Sequence, residues 1–194
     1  RLVDSMTVYS GAFPAVFGDR LSSVVDVVSM PAPERGYHEI GVSFFDAAAL
    51  TTGRFASGRG EWLASLRRGN LDWLYSTFST RPERPQYVDA FARLSYRFGE
   101  HLRVGVNLLE FDDDIWLADD VELDEQAFVE DQDRYGWLRL DHTLGPRFTG
   151  TTLLGQAALR SARTGVSDND VVVGRLADLR NLRLDMLQSE WTFT

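Results

Sequence analysis

The run Val88-Asp89-Ala90-Phe91-Ala92-Arg93-Leu94-Ser95-Tyr96-Arg97-Phe98-Gly99-Glu100-His101-Leu102-Arg103-Val104-Gly105-Val106-Asn107-Leu108 has a period of two. The even positions Ala90, Ala92, Leu94, Tyr96 and Phe98 are apolar or small, while the odd ones include Asp89, Arg93, Ser95 and Arg97. Successive side chains of a strand point to opposite faces, so this spacing gives one greasy and one charged face. Gly99-Glu100-His101 is a tight turn. Beyond it Leu102, Val104, Val106 and Leu108 alternate with Arg103, Gly105 and Asn107, which completes a hairpin.

Working outward, the same arrangement recurs. Tyr135 to Leu144 and Phe148 to Arg160 read as strands around a Gly145-Pro146-Arg147 turn. Tyr37 to Phe45 and Glu61 to Arg68 read as extended, with Gly53 and a Gly58-Arg59-Gly60 turn between them; Arg180 to Phe193 is a last strand of poorer alternation. Short links fall at 56–60, 99–101 and 145–147, and long polar links at 71–86, 113–133 and 165–178. A soluble sandwich has no reason to alternate short with long, because both its ends face water. An outer-membrane barrel has one, since its periplasmic turns are short and its extracellular loops long. Charged faces then point into a wet or paired lumen, because an unpaired Arg at the bilayer midplane costs about 2–4 kcal/mol. The alternation taken alone serves a two-layer β protein with one face in solvent equally well.

Composition narrows the field. The chain has 194 residues, 20 of them Arg and none Lys, against 29 acidic residues, for a net charge of −9. No basic cluster dominates, which argues against a nucleic-acid partner. The absence of Cys excludes a disulfide scaffold, a thiolate zinc site and a Cys nucleophile. No apolar run approaches the roughly 18 residues of a helical membrane span. Both ends look cut, so the chain is read as an internal piece of a longer protein.

A family resemblance enters with Gly11-Ala12-Phe13-Pro14-Ala15-Val16-Phe17-Gly18-Asp19-Arg20-Leu21-Ser22-Ser23-Val24-Val25-Asp26-Val27. This stretch resembles the end of the plug domain in TonB-dependent outer-membrane receptors. Leu21 to Val28 is a β-branched run suited to a buried strand. Gly60 to Arg68 looks like the family's Gly-x-(aromatic)-Leu-x-Ser-x-Arg-Arg strand, and Pro85 to Asp89 followed by Leu94 and Tyr96 like the next one. Gly69-Asn70 departs from the aromatic common after the Arg-Arg pair. The resemblance implies an all-β chain, with residues 1–33 the end of a plug domain and residues 34–194 part of a transmembrane antiparallel β-barrel. It would supply about eight of the 22 strands typical of the family. It also implies a location in the cell outer membrane, contact with lipid and lipopolysaccharide, energised uptake of a scarce nutrient such as a ferric siderophore or vitamin, and pulling by the TonB complex on an upstream segment. A soluble or secreted all-β binding module with an acidic loop is the alternative, and an enzyme with a carboxylate site a third.

Individual residues follow from this. Arg20, Asp26, Arg67, Asp89, Arg93 and Arg97 are candidates for plug–barrel contacts. Arg67 and Arg68 are adjacent on a strand and must face opposite ways; if Trp62, Ala64 and Leu66 face lipid, Arg67 faces the lumen. Residues 110–133 hold twelve acidic side chains and no basic one, and read as a solvated loop. Asp112, Asp113 and Asp114, with Trp73 and Tyr75 of the link after the Arg-Arg strand, are candidates for an outward ligand surface. Tyr96 and Phe98 fit an interfacial aromatic girdle. His38, His101 and His142 lack metal-ligand spacing. No Gly-x-Ser-x-Gly elbow or Gly-Lys-Ser/Thr phosphate loop is present, so neither an enzyme nor a resident cofactor is expected.

Overall fold

The computed structural model describes residues 2–11, 23–71, 77, 85–119, 125–168 and 173–193. The chain is all-β. Strands β1 (Val3–Tyr9) and β2 (Val24–Ser29) form an antiparallel pair. The other eight form one antiparallel meander: β3 (Tyr37–Val42), β4 (Asp46–Phe55), β5 (Gly60–Gly69), β6 (Gln86–Phe98), β7 (Leu102–Asp119), β8 (Glu125–Thr143), β9 (Phe148–Asp168) and β10 (Val173–Phe193). Each strand pairs only with its sequence neighbours, so β3 and β10 are open edges.

One end of the sheet is trimmed and the other is not. Tight reversals after β4, β6 and β8 carry Gly58, Gly99 and Gly145 at φ +83°, +68° and +93°, values that side chains resist. From β3 to β10 the strands lengthen from 6 to 21 residues. β3 and β10 form no ladder with each other, so the described strands do not close on themselves.

Three expectations change here. Residues 46–55 are a strand of their own; the Ala47–Ala49 run shows no alternation, but ladders with β3 and β5 on either side fix it as β4. The long links expected at 113–133 and 165–178 are mostly strand, with β7 running to Asp119, β8 starting at Glu125, β9 running to Asp168 and β10 starting at Val173. Polar composition suggested loops, yet a ladder needs only backbone partners, and β7 to β10 supply them to one another. Of the run read at Leu21–Val28, residues 21 and 22 lie outside the described residues and the rest is not a buried strand: in β2, Val25, Val27 and Val28 stay about half exposed, and among the described residues only β1 pairs with it.

Apolar burial is sparse. Among the described residues the only buried hydrophobic side chains are Ala32, Leu50 and Leu63. They gather, with fully buried Thr52, where the segment after β2 crosses β4 and β5; the Arg54 Nε donates to the Ala32 carbonyl at 2.9 Å. Gly36 lies against the β4 backbone there. A Cβ on it would stand 2.8 Å from the Thr52 carbonyl oxygen and 3.1 Å from the Gly53 Cα. Gly36→Ala should therefore cost about 1–3 kcal/mol, since backbone cannot swing aside as a side chain does. Thermal unfolding should show this loss, whereas Gly41→Ala, where open space surrounds the added methyl, should not.

Candidate functional site

Register assigns every strand residue to a face. One face carries the rung Trp62–Leu94–Val106–Leu138–Leu154–Leu187, six residues hydrogen-bond-paired across six strands. Nothing among the described residues covers it: Leu94 is 52% exposed, Val106 45%, Leu154 55% and Leu187 73%. The apolar stripe runs obliquely to the rungs. At the β3–β6 side it reaches Ile40, Val42, Leu66 and Val88, and at the β9–β10 side it descends to Phe148, Trp191 and Phe193. Aromatic rings line its tight-turn margin. Tyr96 lies 4.7 Å from Phe98 and 6.1 Å from Phe55, and Trp191 stacks on His142 and Phe148 at 4.7 and 4.8 Å. Gly150 makes room for that stack, since a Cβ would meet the indole at 2.7 Å.

The opposite face of β5 to β7 is ionic, and it is the face that is covered. Arg93, half buried, donates from its guanidinium to the Ser29 Oγ at 2.5 Å and to the Met30 carbonyl at 2.8 Å, fastening the end of β2 to β6. Its Nε is buried without a partner. One turn away along the face, Glu61 accepts from Arg103 at 2.8 Å and lies 3.8 Å from Arg54. Arg103 also donates to the Ser95 Oγ at 3.2 Å. Arg67 donates to Asp89 from Nε at 2.8 Å and from a terminal nitrogen at 2.5 Å, with its guanidinium 5.2 Å from the Tyr87 ring centroid.

The six contact candidates therefore divide. Arg93 touches the end of β2 and the residue after it directly. Arg67 and Asp89 pair with each other on the covered face, on the wall of a cavity that Leu2 and Val27 complete from the hairpin. Arg97 is on the same face at the tight-turn end, lining a separate hollow with Arg103 and Asp141, but it does not reach the hairpin. Asp26 pairs across the backbone with Thr7 in the hairpin itself. Arg20 lies outside the described residues. Three further residues matter to this face: Glu61, Ser29 and Asn107. Of these, Asn107 was readable as a member of the charged face from the alternation of the opening hairpin.

The outward-surface candidates fare differently. Trp73 and Tyr75 lie outside the described residues. Asp112, Asp113 and Asp114 are strand residues, not loop residues. Asp112 and Asp114 share the face of the apolar stripe, while Asp113 points the other way, so the three do not converge on one ion. No group of three His, Asp or Glu among the described residues is placed to hold a metal ion. Acid faces acid across the ladder instead, Asp113 opposite Asp131 and Asp114 opposite Glu130. This part of β7 projects beyond the apolar stripe, which ends at Leu108. Burial pushes both the Asp113 and Asp114 carboxyls above the usual Asp range, and neighbouring carboxylates push the same way. A folded-state pKa above the unfolded one means that the ionised form weighs against the ladder, and that this burden lifts as pH falls through the folded value. Asp113→Asn should thus raise the melting temperature at pH 7, with the difference from the parent shrinking as the pH approaches the carboxyl range.

The chain matches no protein-family model, no curated protein sequence and no solved structure.

Proposed function

We propose that the chain is part of a TonB-dependent outer-membrane receptor, with the β1–β2 segment the end of its plug and the eight-stranded sheet a sector of its barrel wall. The observation that carries this reading is an inversion of burial. The face that carries the guanidinium–carboxylate pairs, with Leu50 and Leu63 beside them, is the one packed under another part of the chain, and the face crossed by the apolar stripe is the one left bare among the described residues. In water the opposite arrangement is favoured, because each square ångström of apolar surface withheld from solvent contributes about 25 cal/mol. Hydrocarbon reverses the preference: the bare stripe then meets acyl chains, and guanidinium–carboxylate pairs face a stopper inside a lumen. The obliquity of the stripe supports the same reading. Strands of such barrels tilt by about 35–45°, so a level band of lipid crosses their hydrogen-bonded rungs at an angle. The aromatic row along the tight-turn margin fits an interfacial girdle, and the open edges fit a sheet that needs further strands to close.

The role that goes with this architecture is energised uptake of a scarce nutrient, with the plug displaced from the wall when the TonB complex pulls. Membrane fractionation and heat-modifiable gel migration of the full-length protein test the placement. The expected result is recovery in the outer-membrane fraction, solubilisation only by detergent, and a band that shifts on boiling. A monomeric species that sediments sharply without detergent would instead favour a soluble β module, and the receptor reading would be given up.

A further inference from the structure

Between the β1–β2 hairpin and the covered face of the sheet lies a cavity of about 410 Å³. Leu2 and Val27 close it from the hairpin side, and Phe91, Phe111 and Trp137 wall it from β6, β7 and β8. The rings of Phe91 and Trp137 stand 6.4 Å apart, tilted by 38°. The volume falls in the range of small-molecule sites, and the makeup matches theirs: apolar walls with very few polar groups.

One polar group decides what the cavity can take. Asn107 lines it, is only 6% exposed, and lies between Arg93 and Trp137 on one rung of the sheet. Among the described residues its amide takes no hydrogen bond. Its polar atoms are not sealed off but open on the cavity, where water or a ligand can match them. The charges nearby are already spoken for. Arg67 and Asp89 neutralise each other at the wall, and the terminal nitrogens of Arg93, whose Nε alone lacks a partner, are held by Ser29 and Met30. The cavity thus offers flat apolar walls, one unmatched donor–acceptor pair, and no free charge.

We propose that this cavity binds a small uncharged aromatic molecule bearing one hydroxyl. The ring packs against the Phe91 and Trp137 rings on the side that faces the cavity. The hydroxyl meets Asn107, whose amide can donate to the hydroxyl oxygen and accept its proton. This assignment uses only the covered face and stands whichever medium the bare face meets.

The test is calorimetric titration of the full-length protein in a steroid-based detergent too bulky for the cavity, with protein-free micelles as the baseline. The probes are 2-naphthol and 2-methylnaphthalene, which share a shape and differ in the hydroxyl. The parent protein should bind 2-naphthol at one saturable site and prefer it to 2-methylnaphthalene. Asn107→Leu should weaken 2-naphthol about five- to ten-fold, the worth of one neutral hydrogen bond, and leave 2-methylnaphthalene unweakened. Ser65→Phe, which fills the cavity from β5, should abolish both. The ¹⁵N-detected side-chain amide resonance of Asn107 in the parent protein should shift on adding 2-naphthol, a readout independent of any variant's folding. Absence of saturable binding, an unmoved Asn107 resonance, or an equal loss for both probes in Asn107→Leu would overturn the proposal.

Discussion

If the sheet is a sector of a barrel wall as proposed, arginine in place of Val106 should cost about 2–4 kcal/mol of folding stability in lipid and deplete the protein from the outer membrane. Val106 sits in the middle of the six-residue apolar rung, so its substituent would be held near the bilayer midplane, beyond the reach of snorkelling. The same change on the surface of a water-soluble β module is worth no more than about 0.5 kcal/mol either way. That gap is large enough to read as a ten-fold or greater change in the folded fraction, by heat-modifiable migration after refolding into phospholipid vesicles. Thr151→Arg is the control. Thr151 is on the ionic face, where its hydroxyl already donates to the Asp141 carboxylate at 2.9 Å, and an arginine there inherits that partner. The expected pattern is a large loss for Val106→Arg and a small change for Thr151→Arg. Equal and small effects would mean that the bare face meets water, and the membrane reading would fail with them.

How far the sequence alone reaches is seen from where it succeeded. The turn and the flanking halves of the β6–β7 hairpin were legible because both faces carry contrasting side chains and a glycine reverses the chain between them. The partition of Arg67 from Arg68 was legible for the same reason, since adjacency on a strand settles it. β4 was not legible: alanine has no strong strand preference, and pairing on both edges is a tertiary fact. Nor was the strand character of residues 110–119 and 125–133, where repulsion among acids argued for a loop and four long neighbouring strands overrode it. Arg93 was placed on the right face, but nothing local could tell that Ser29 and Met30, more than sixty residues earlier, would accept its hydrogen bonds. Asn107 was visible only as one polar position among several. Its burial depends on the hairpin that lies over it.

The second large effect is expected at Arg93. Arg93→Met keeps much of the side-chain volume and removes both donors, leaving the Met30 carbonyl and the Ser29 hydroxyl without their partner. Two bonds from a charged donor are worth about 1.5–3 kcal/mol each, and part of that returns when a half-buried guanidinium with an unmatched Nε no longer has to be desolvated. The net loss should be roughly 2–3 kcal/mol, and it should fall on the attachment of residues 1–33 to the wall rather than on the wall itself. Limited proteolysis of the full-length protein separates the two: cleavage within the first 33 residues should accelerate while the sheet stays resistant. Asp89→Asn supplies the contrast. It breaks the Arg67–Asp89 pair, but that pair is part exposed and belongs wholly to the sheet, so it should cost less than about 1 kcal/mol and leave the proteolytic pattern alone. No loosening by Arg93→Met would mean that the hairpin is held by the apolar rim of the cavity and that the half-buried guanidinium serves the sheet alone. On the proposed receptor reading the distinction bears on uptake, because a segment tied by two directional bonds at one residue releases abruptly under a pull. A segment held by a diffuse apolar contact peels away gradually.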